Sequence, residues 1–178
     1  YKERDLDAYV RRVGESLAAV SDRPDIRFTF TLLNSDVVNA FALPGGYVYV
    51  TRGILILAEN EAEIAGVLAH EIGHIVARHS AQRYSGAVAA NLGLAILGIG
   101  AQAVGAPPGI GELSGTLAQG YLMKFSREQE LESDMLGVRY LARAGYDPNA
   151  MTSFFRKLRA HTALQAKISG RKDADKFN

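Results

Sequence analysis

A chain of 178 residues with 48% hydrophobic content can bury a real core, and no linker-like stretch divides it, so a single domain over residues 1–178 is expected. Its 20 basic and 19 acidic residues leave a net charge of +1 and are scattered rather than sorted into patches, which removes the electrostatic argument for nucleic acid. There is no cysteine, which excludes a disulfide framework and a cysteine nucleophile without locating the protein.

The sequence starts at Tyr1 with no visible signal peptide, as expected where a targeting segment has been removed or the chain trimmed. Leu6, Val10, Val13 and Leu17 recur at helical spacing and predict a helix that ends before Ser21-Asp22-Arg23-Pro24. From Ile26 to Leu33 the pattern alternates, with Ile26, Phe28, Phe30 and Leu32 on one side, which is strand periodicity. Two more strands, Val37 to Leu43 and Tyr47 to Thr51, are joined by the turn signal Pro44-Gly45-Gly46. The remainder reads as helix: one from Asn60 to about Arg83, a loose one near Ala87 to Ala103, one carrying Glu130, and a last opened by Asp147-Pro148. Asp147 suits an N-cap and Pro148 the first helical turn.

The first of these later helices carries the chemistry. His70-Glu71-Ile72-Gly73-His74 is an H-E-x-x-H motif, and residues four apart on a helix lie one turn up on nearly the same face. Both imidazoles can reach one metal ion, and Glu71 can lie beside whatever else that ion binds. Ile64, Val67, Leu68, Ile72, Ile75 and Val76 form a broad apolar stripe around the motif, so its histidines turn inward only if something satisfies them. Asn60 followed by Glu63 has the spacing of an N-cap with its capping-box partner. His79 turns away from the ligand face and is expected to cap or pack near the helix end. His161, on the last helix, is expected to be exposed.

A catalytic zinc needs a third protein ligand and an open position. The best candidate lies in Ser126-Arg127-Glu128-Gln129-Glu130-Leu131-Glu132-Ser133-Asp134. Glu130 and Asp134 share a helix face with Gly137 and Leu141; Leu131, Met135 and Val138 lie on the neighbouring apolar side, and Glu128 and Glu132 on a solvated one. Glu130 is the expected ligand, the alternative being an amphipathic helix with an acidic start. Asp134, one turn on, is then close enough to bond a zinc-bound histidine from behind without touching the metal.

The H-E-I-G-H helix, the S-R-x-x-E-x-E-S-D segment and the upstream stretch from Asn39 to Val50 together resemble the M48 family of zinc metallopeptidases, in the family's order and over about Ile26 to Leu158. The resemblance implies one Zn2+ per chain held by His70, His74 and Glu130, Glu71 as general base and Asp134 supporting the site. Ser133 stands where the family's E-x-x-A-D pattern has alanine. The implied fold is α+β: a zincin-like metallopeptidase domain, mainly helical with a small antiparallel sheet. Its T-H-P motif, whose histidine approaches the active site in such enzymes, does not occur here, so the residue assisting the oxyanion has no candidate.

A sheet edge near the metal can accept an extended peptide as an added strand, and the Asn39 to Val50 hairpin is the candidate, with Asn39, Ala40, Phe41 and Ala42 as substrate-binding residues. The alternative is that the hairpin is only core sheet. The Gly-, Ala- and Leu-rich stretch from Ser85 to Gly111 leaves two readings open: a buried or lid helix over the cleft, or contact of residues 87–106 with a membrane or hydrophobic partner. Two functions compete. One is a zinc endopeptidase acting on extended or misfolded protein, periplasmic or membrane-associated in a bacterial envelope and working in protein quality control, with a further domain outside these residues. The other is a chaperone-like interaction module with a latent zinc site. The intact Glu71 favours the first, since a binding module has no need of a base there.

Overall fold

The computed structural model describes residues 4–79, 81–82, 85 and 125–169. The stretch 87–106 lies outside them, so neither reading of that stretch is decided by it. No helix among the described residues is long and apolar enough to cross a membrane.

Helix α1 (Arg4–Ala19) buries Val10, Val13 and Leu17, the stripe its periodicity predicts. Strands β1 (Thr29–Leu33), β2 (Ala40–Leu43) and β3 (Tyr47–Thr51) form one sheet in the order β1-β3-β2. The sheet is small, as expected, but mixed rather than wholly antiparallel. β2 and β3 form an antiparallel hairpin, pairing Ala40 with Val50 and Leu43 with Tyr47, because Pro44-Gly45-Gly46 turns the chain straight back. Gly45 and Gly46 sit at φ 96° and 93°, which only glycine adopts without strain. β3 then inserts between the first two strands, so it runs parallel to β1, with Phe30 opposite Val48 and Leu32 opposite Val50. β2 starts at Ala40 rather than Val37, because both backbone polar groups of Asn39 bond Thr51: Asn39 N–H donates to Thr51 Oγ1 at 3.1 Å and Thr51 N–H donates to Asn39 O at 3.0 Å.

Four helices follow among the described residues: α2 (Arg52–Leu57), α3 (Glu61–Val76), α4 (Arg127–Arg143) and α5 (Asn149–Ile168). The short α2 continues directly from β3 and was not singled out by periodicity. α3 is the centre of the molecule: α4 and α5 pack on it, as do α1 and strand β2. Every residue from Glu63 to Ile75 is buried, so the apolar stripe read from the sequence is part of a helix covered on all sides. One core runs from Val10 and Leu17 through Phe30, Val48 and Val50 to Leu68, Ile72, Leu141 and Phe154. α5 begins one residue later than its cap signal suggests, so Pro148 rather than Asp147 takes the cap position, and the Asp147 carboxylate accepts Asn149 N–H at 2.9 Å from one residue further out.

On α4 the structure corrects the face assignment. Leu131, Met135 and Val138, read as the apolar side, are exposed, while Ser133, Gly137, Tyr140 and Leu141 are buried. The helix is rotated so that Glu130 and Asp134 address α3, which turns Leu131 and its neighbours outward. α3 itself stops at Val76, short of Arg83, because Arg78 adopts φ 62° and breaks the helical run.

Candidate metal centre

The geometry of the site follows from how α3 begins and how closely α4 approaches it. Asn60 Oδ1 accepts Glu63 N–H at 3.0 Å, fixing the helix start ahead of the motif. The Glu63 side chain does not close the reciprocal bond to Asn60. It reaches Glu59 N–H at 2.8 Å and Lys157 Nζ at 2.7 Å, joining α5 to the same turn. Further along, α3 and α4 meet through glycines. A Cβ on Gly73 would lie 2.9 Å from Ser133 O, and one on Gly137 would lie 3.2 Å from His70 N. The two backbones are therefore close enough for carboxylates on α4 to reach imidazoles on α3.

They do reach. His70 Nε2 and His74 Nε2 lie 3.0 Å apart, and Glu130 Oε2 is 3.4 Å from the first and 3.8 Å from the second. One ligand atom from each of the three residues falls within a 4.8 Å cluster, the geometry of a group that could hold a metal ion. Two imidazole nitrogens and a carboxylate oxygen suit a borderline ion, and the three donors leave room in a tetrahedral shell for one more ligand. On the far side of the ring, His70 Nδ1 bonds Asp134 Oδ1 at 2.9 Å, the arrangement expected from the spacing of Asp134 behind Glu130. The site is walled by aromatic rings: Phe125 stacks on His74 at 3.8 Å between centroids, and Phe155 meets His70 edge-on at 5.1 Å.

Burial and charge act in opposite directions on the two central groups. Burial disfavours a charge on His70, but its bonds to Asp134 and Glu130 and the nearby Glu71 outweigh that, and its pKa is pushed up to about 10. Burial raises the Glu71 carboxyl to about 7, with His70 opposing the rise and Glu130 adding to it. Glu71 can therefore exchange a proton near neutral pH.

A third histidine joins the site. His79 is buried and packs near the helix end as expected, and it also bonds into the site: its Nδ1 lies 3.1 Å from His74 Nδ1 and 3.2 Å from Ser133 Oγ, and its Nε2 lies 3.1 Å from Glu132 Oε2. Glu132, placed on a solvated face, is half exposed but engaged through this bond. Ser133 is fully buried, and its hydroxyl has a neighbour that an alanine side chain could not bond. The left-handed Arg78 is what folds His79 back onto His74, and no glycine marks that turn in the sequence. His161 is partly buried rather than exposed, and is not among the clustered donors. Of the expected peptide-binding residues, Ala40, Phe41 and Ala42 lie on β2. This strand stands last in the sheet order β1-β3-β2, pairs with β3 and packs on α3. Asn39 lies just before it.

The family model described as "Peptidase family M48" matches residues 4–171. Among curated proteins, the chain is 37% identical over 158 residues to the beta-barrel assembly-enhancing protease of Yersinia pestis, covering 86% of this chain and 32% of that protein. It is 35% identical over 159 residues to the protein of the same name from Escherichia coli (strain K12), with 86% and 32% covered. To the mitochondrial metalloendopeptidase OMA1 of Schizosaccharomyces pombe it is 37% identical over 159 residues, with 85% and 44% covered. The chain thus spans about a third of the length of the bacterial relatives.

Proposed function

The chain belongs to peptidase family M48, and from that premise we propose that it is the catalytic unit of a zinc-dependent endopeptidase, in which His70, His74 and Glu130 hold the ion and Glu71 is the general base. The observation that carries this reading is the convergence of the two Nε2 atoms and the Glu130 carboxylate on one point, next to a buried carboxyl whose pKa is about 7. A zinc ion held there supplies a Lewis acid, which makes water nucleophilic near neutral pH and polarises a peptide carbonyl. The chain's own residues do the rest. Glu71 takes the proton from the attacking water and returns it to the departing amine. Asp134 holds His70 with its Nε2 lone pair facing the cluster. Phe125 and Phe155 cover the histidine rings and keep bulk water from them.

The substrate on this reading is an extended polypeptide laid beside β2 at Asn39, Ala40, Phe41 and Ala42, recognised through its backbone and so requiring a stretch of chain without its own secondary structure. That preference fits unfolded or misfolded protein. On this reading the chain works in envelope protein quality control, in the periplasm or at the membrane, and two bacterial relatives are named as proteases that enhance beta-barrel assembly. A chaperone-like module with a latent metal site is the competing reading, and the retained Glu71 at the cluster favours hydrolysis over it.

The test is zinc content together with cleavage of an unfolded protein, with and without a chelator. The parental chain is expected to hold one zinc, and Glu130→Gln to hold it much more weakly and lose cleavage. Equal zinc retention in Glu130→Gln would move the third ligand elsewhere, and binding of the unfolded protein without cleavage would favour the chaperone reading.

A further inference from the structure

His79 and Glu132 take no part in the chemistry just described, yet they are joined to it by a chain of hydrogen bonds in which each proton position is dictated by the next. For His74 to offer Nε2 to the ion, its own proton must sit on Nδ1. That N–H points at His79 Nδ1, 3.1 Å away, which must then accept. A neutral His79 accepting at Nδ1 carries its proton on Nε2, and there, at 3.1 Å, stands the Glu132 carboxylate, which can only accept. Were His79 protonated on Nδ1 instead, it would donate to His74 Nδ1, drive the His74 proton onto Nε2 and close the ligand position.

We propose that Glu132 and His79 form a positioning relay that sets the tautomer of His74 and so keeps its Nε2 open to the metal. Neither residue is a ligand. The relay makes the two histidines equivalent: His70 is backed by Asp134 directly, and His74 is backed by Glu132 through one intervening imidazole, so that a single stretch of α4 from Glu130 to Asp134 supplies one ligand and both supports. Ser133, between the two supporting acids, places its hydroxyl 3.2 Å from His79 Nδ1 and buttresses the ring from the side. The left-handed conformation of Arg78, unfavourable in a non-glycine residue, is the local distortion that brings His79 into line.

The inference rests on the metal reading of the site, and two measurements keep the two apart. Long-range 1H–15N spectra of the metal-free protein report which ring nitrogen of His74 is protonated, whether or not the protein binds zinc. Competition with a chromophoric chelator reports zinc affinity. The informative variant is Glu132→Lys, which exchanges an acceptor for a donor on a side chain that is 55% exposed, so the fold is not at stake. The parental protein is expected to show His74 protonated on Nδ1, and Glu132→Lys to move that proton to Nε2 and weaken zinc by about 10- to 100-fold. His79→Asn, whose carbonyl can accept where Nδ1 does, is expected to keep zinc closer to the parental level than His79→Phe, which fills the space but cannot accept. Weakened zinc with an unchanged His74 tautomer in Glu132→Lys would assign the loss to added charge and overturn the relay, as would equal zinc affinity in His79→Asn and His79→Phe. A parental chain that binds no zinc would overturn the metal reading instead, and His74 protonated on Nε2 in that chain would overturn the relay.

Discussion

Glu71 and His70 are neighbours in sequence and sit in the same buried cluster, but each has a separate measurable consequence. Glu71→Gln keeps the shape of the side chain and removes the base, so the protein is expected to retain zinc while hydrolysis drops by at least ~100-fold. Zinc content measured beside the cleavage rate checks this, and a variant that cleaves at close to the parental rate would remove Glu71 from the mechanism. For His70 the sign of the effect is set by its pKa, raised from 6.5 to about 10. Below that value the metal-free ring holds a second proton, which an ion binding through Nε2 must displace. Zinc uptake at about pH 8.5 is therefore expected to release about one proton, and apparent affinity to fall about tenfold for each pH unit below that. A histidine near its ordinary value would be neutral at this pH and release almost none. Calorimetry in two buffers of different ionisation enthalpy separates the cases.

At the scale of elements, the distance between α3 and α4 is the quantity that matters, and glycines set it. Gly73→Ala would push a methyl group to 2.9 Å from the Ser133 carbonyl, a backbone atom that cannot swing aside. The expected cost is about 1–3 kcal/mol of stability, with weaker zinc binding because Glu130 and Asp134 retreat with their helix. Denaturant unfolding beside zinc titration tests it; an alanine variant with parental stability and affinity would mean the helices re-pack without moving the site. How much of this was legible varied by element. The cap at Asn60 and the spacing of His70, His74, Glu130 and Asp134 are local signals, and helix geometry turns them into directions. The end of α3 was not legible, since Arg78 takes a left-handed conformation with none of the residues that usually announce one. The buried face of α4 is not legible either, since Leu131, Met135 and Val138 look like core, whereas the carboxylates decide its rotation. The place of β3 between β1 and β2 depends on pairing across the chain, which alternation within a strand does not encode.

For the molecule as a whole, the arrangement is a central helix carrying two candidate ligands, a helix on one side bringing the third, and a sheet whose strand β2 packs on the same central helix. The supports of the site were less legible than its ligands, because His79 and Glu132 meet only once both α4 and the Arg78 turn are in place. The edge of β2 has another consequence. Were β2 to take up an extended backbone, as proposed, it could take up its own copy in the same way, and Phe41, Leu43 and Tyr47 present exposed apolar surface along the hairpin. Two chains paired edge to edge would each cover the other's proposed peptide-binding strand, so the protein would inhibit itself by mass action. Specific activity is expected to fall as protein concentration rises, in step with dimer seen by sedimentation, and Leu43→Lys, which places a charge at the end of that edge, is expected to abolish both. Constant specific activity across the monomer–dimer range would show that the strand stays accessible in the pair. Where it is covered, dilution alone would switch the peptidase on.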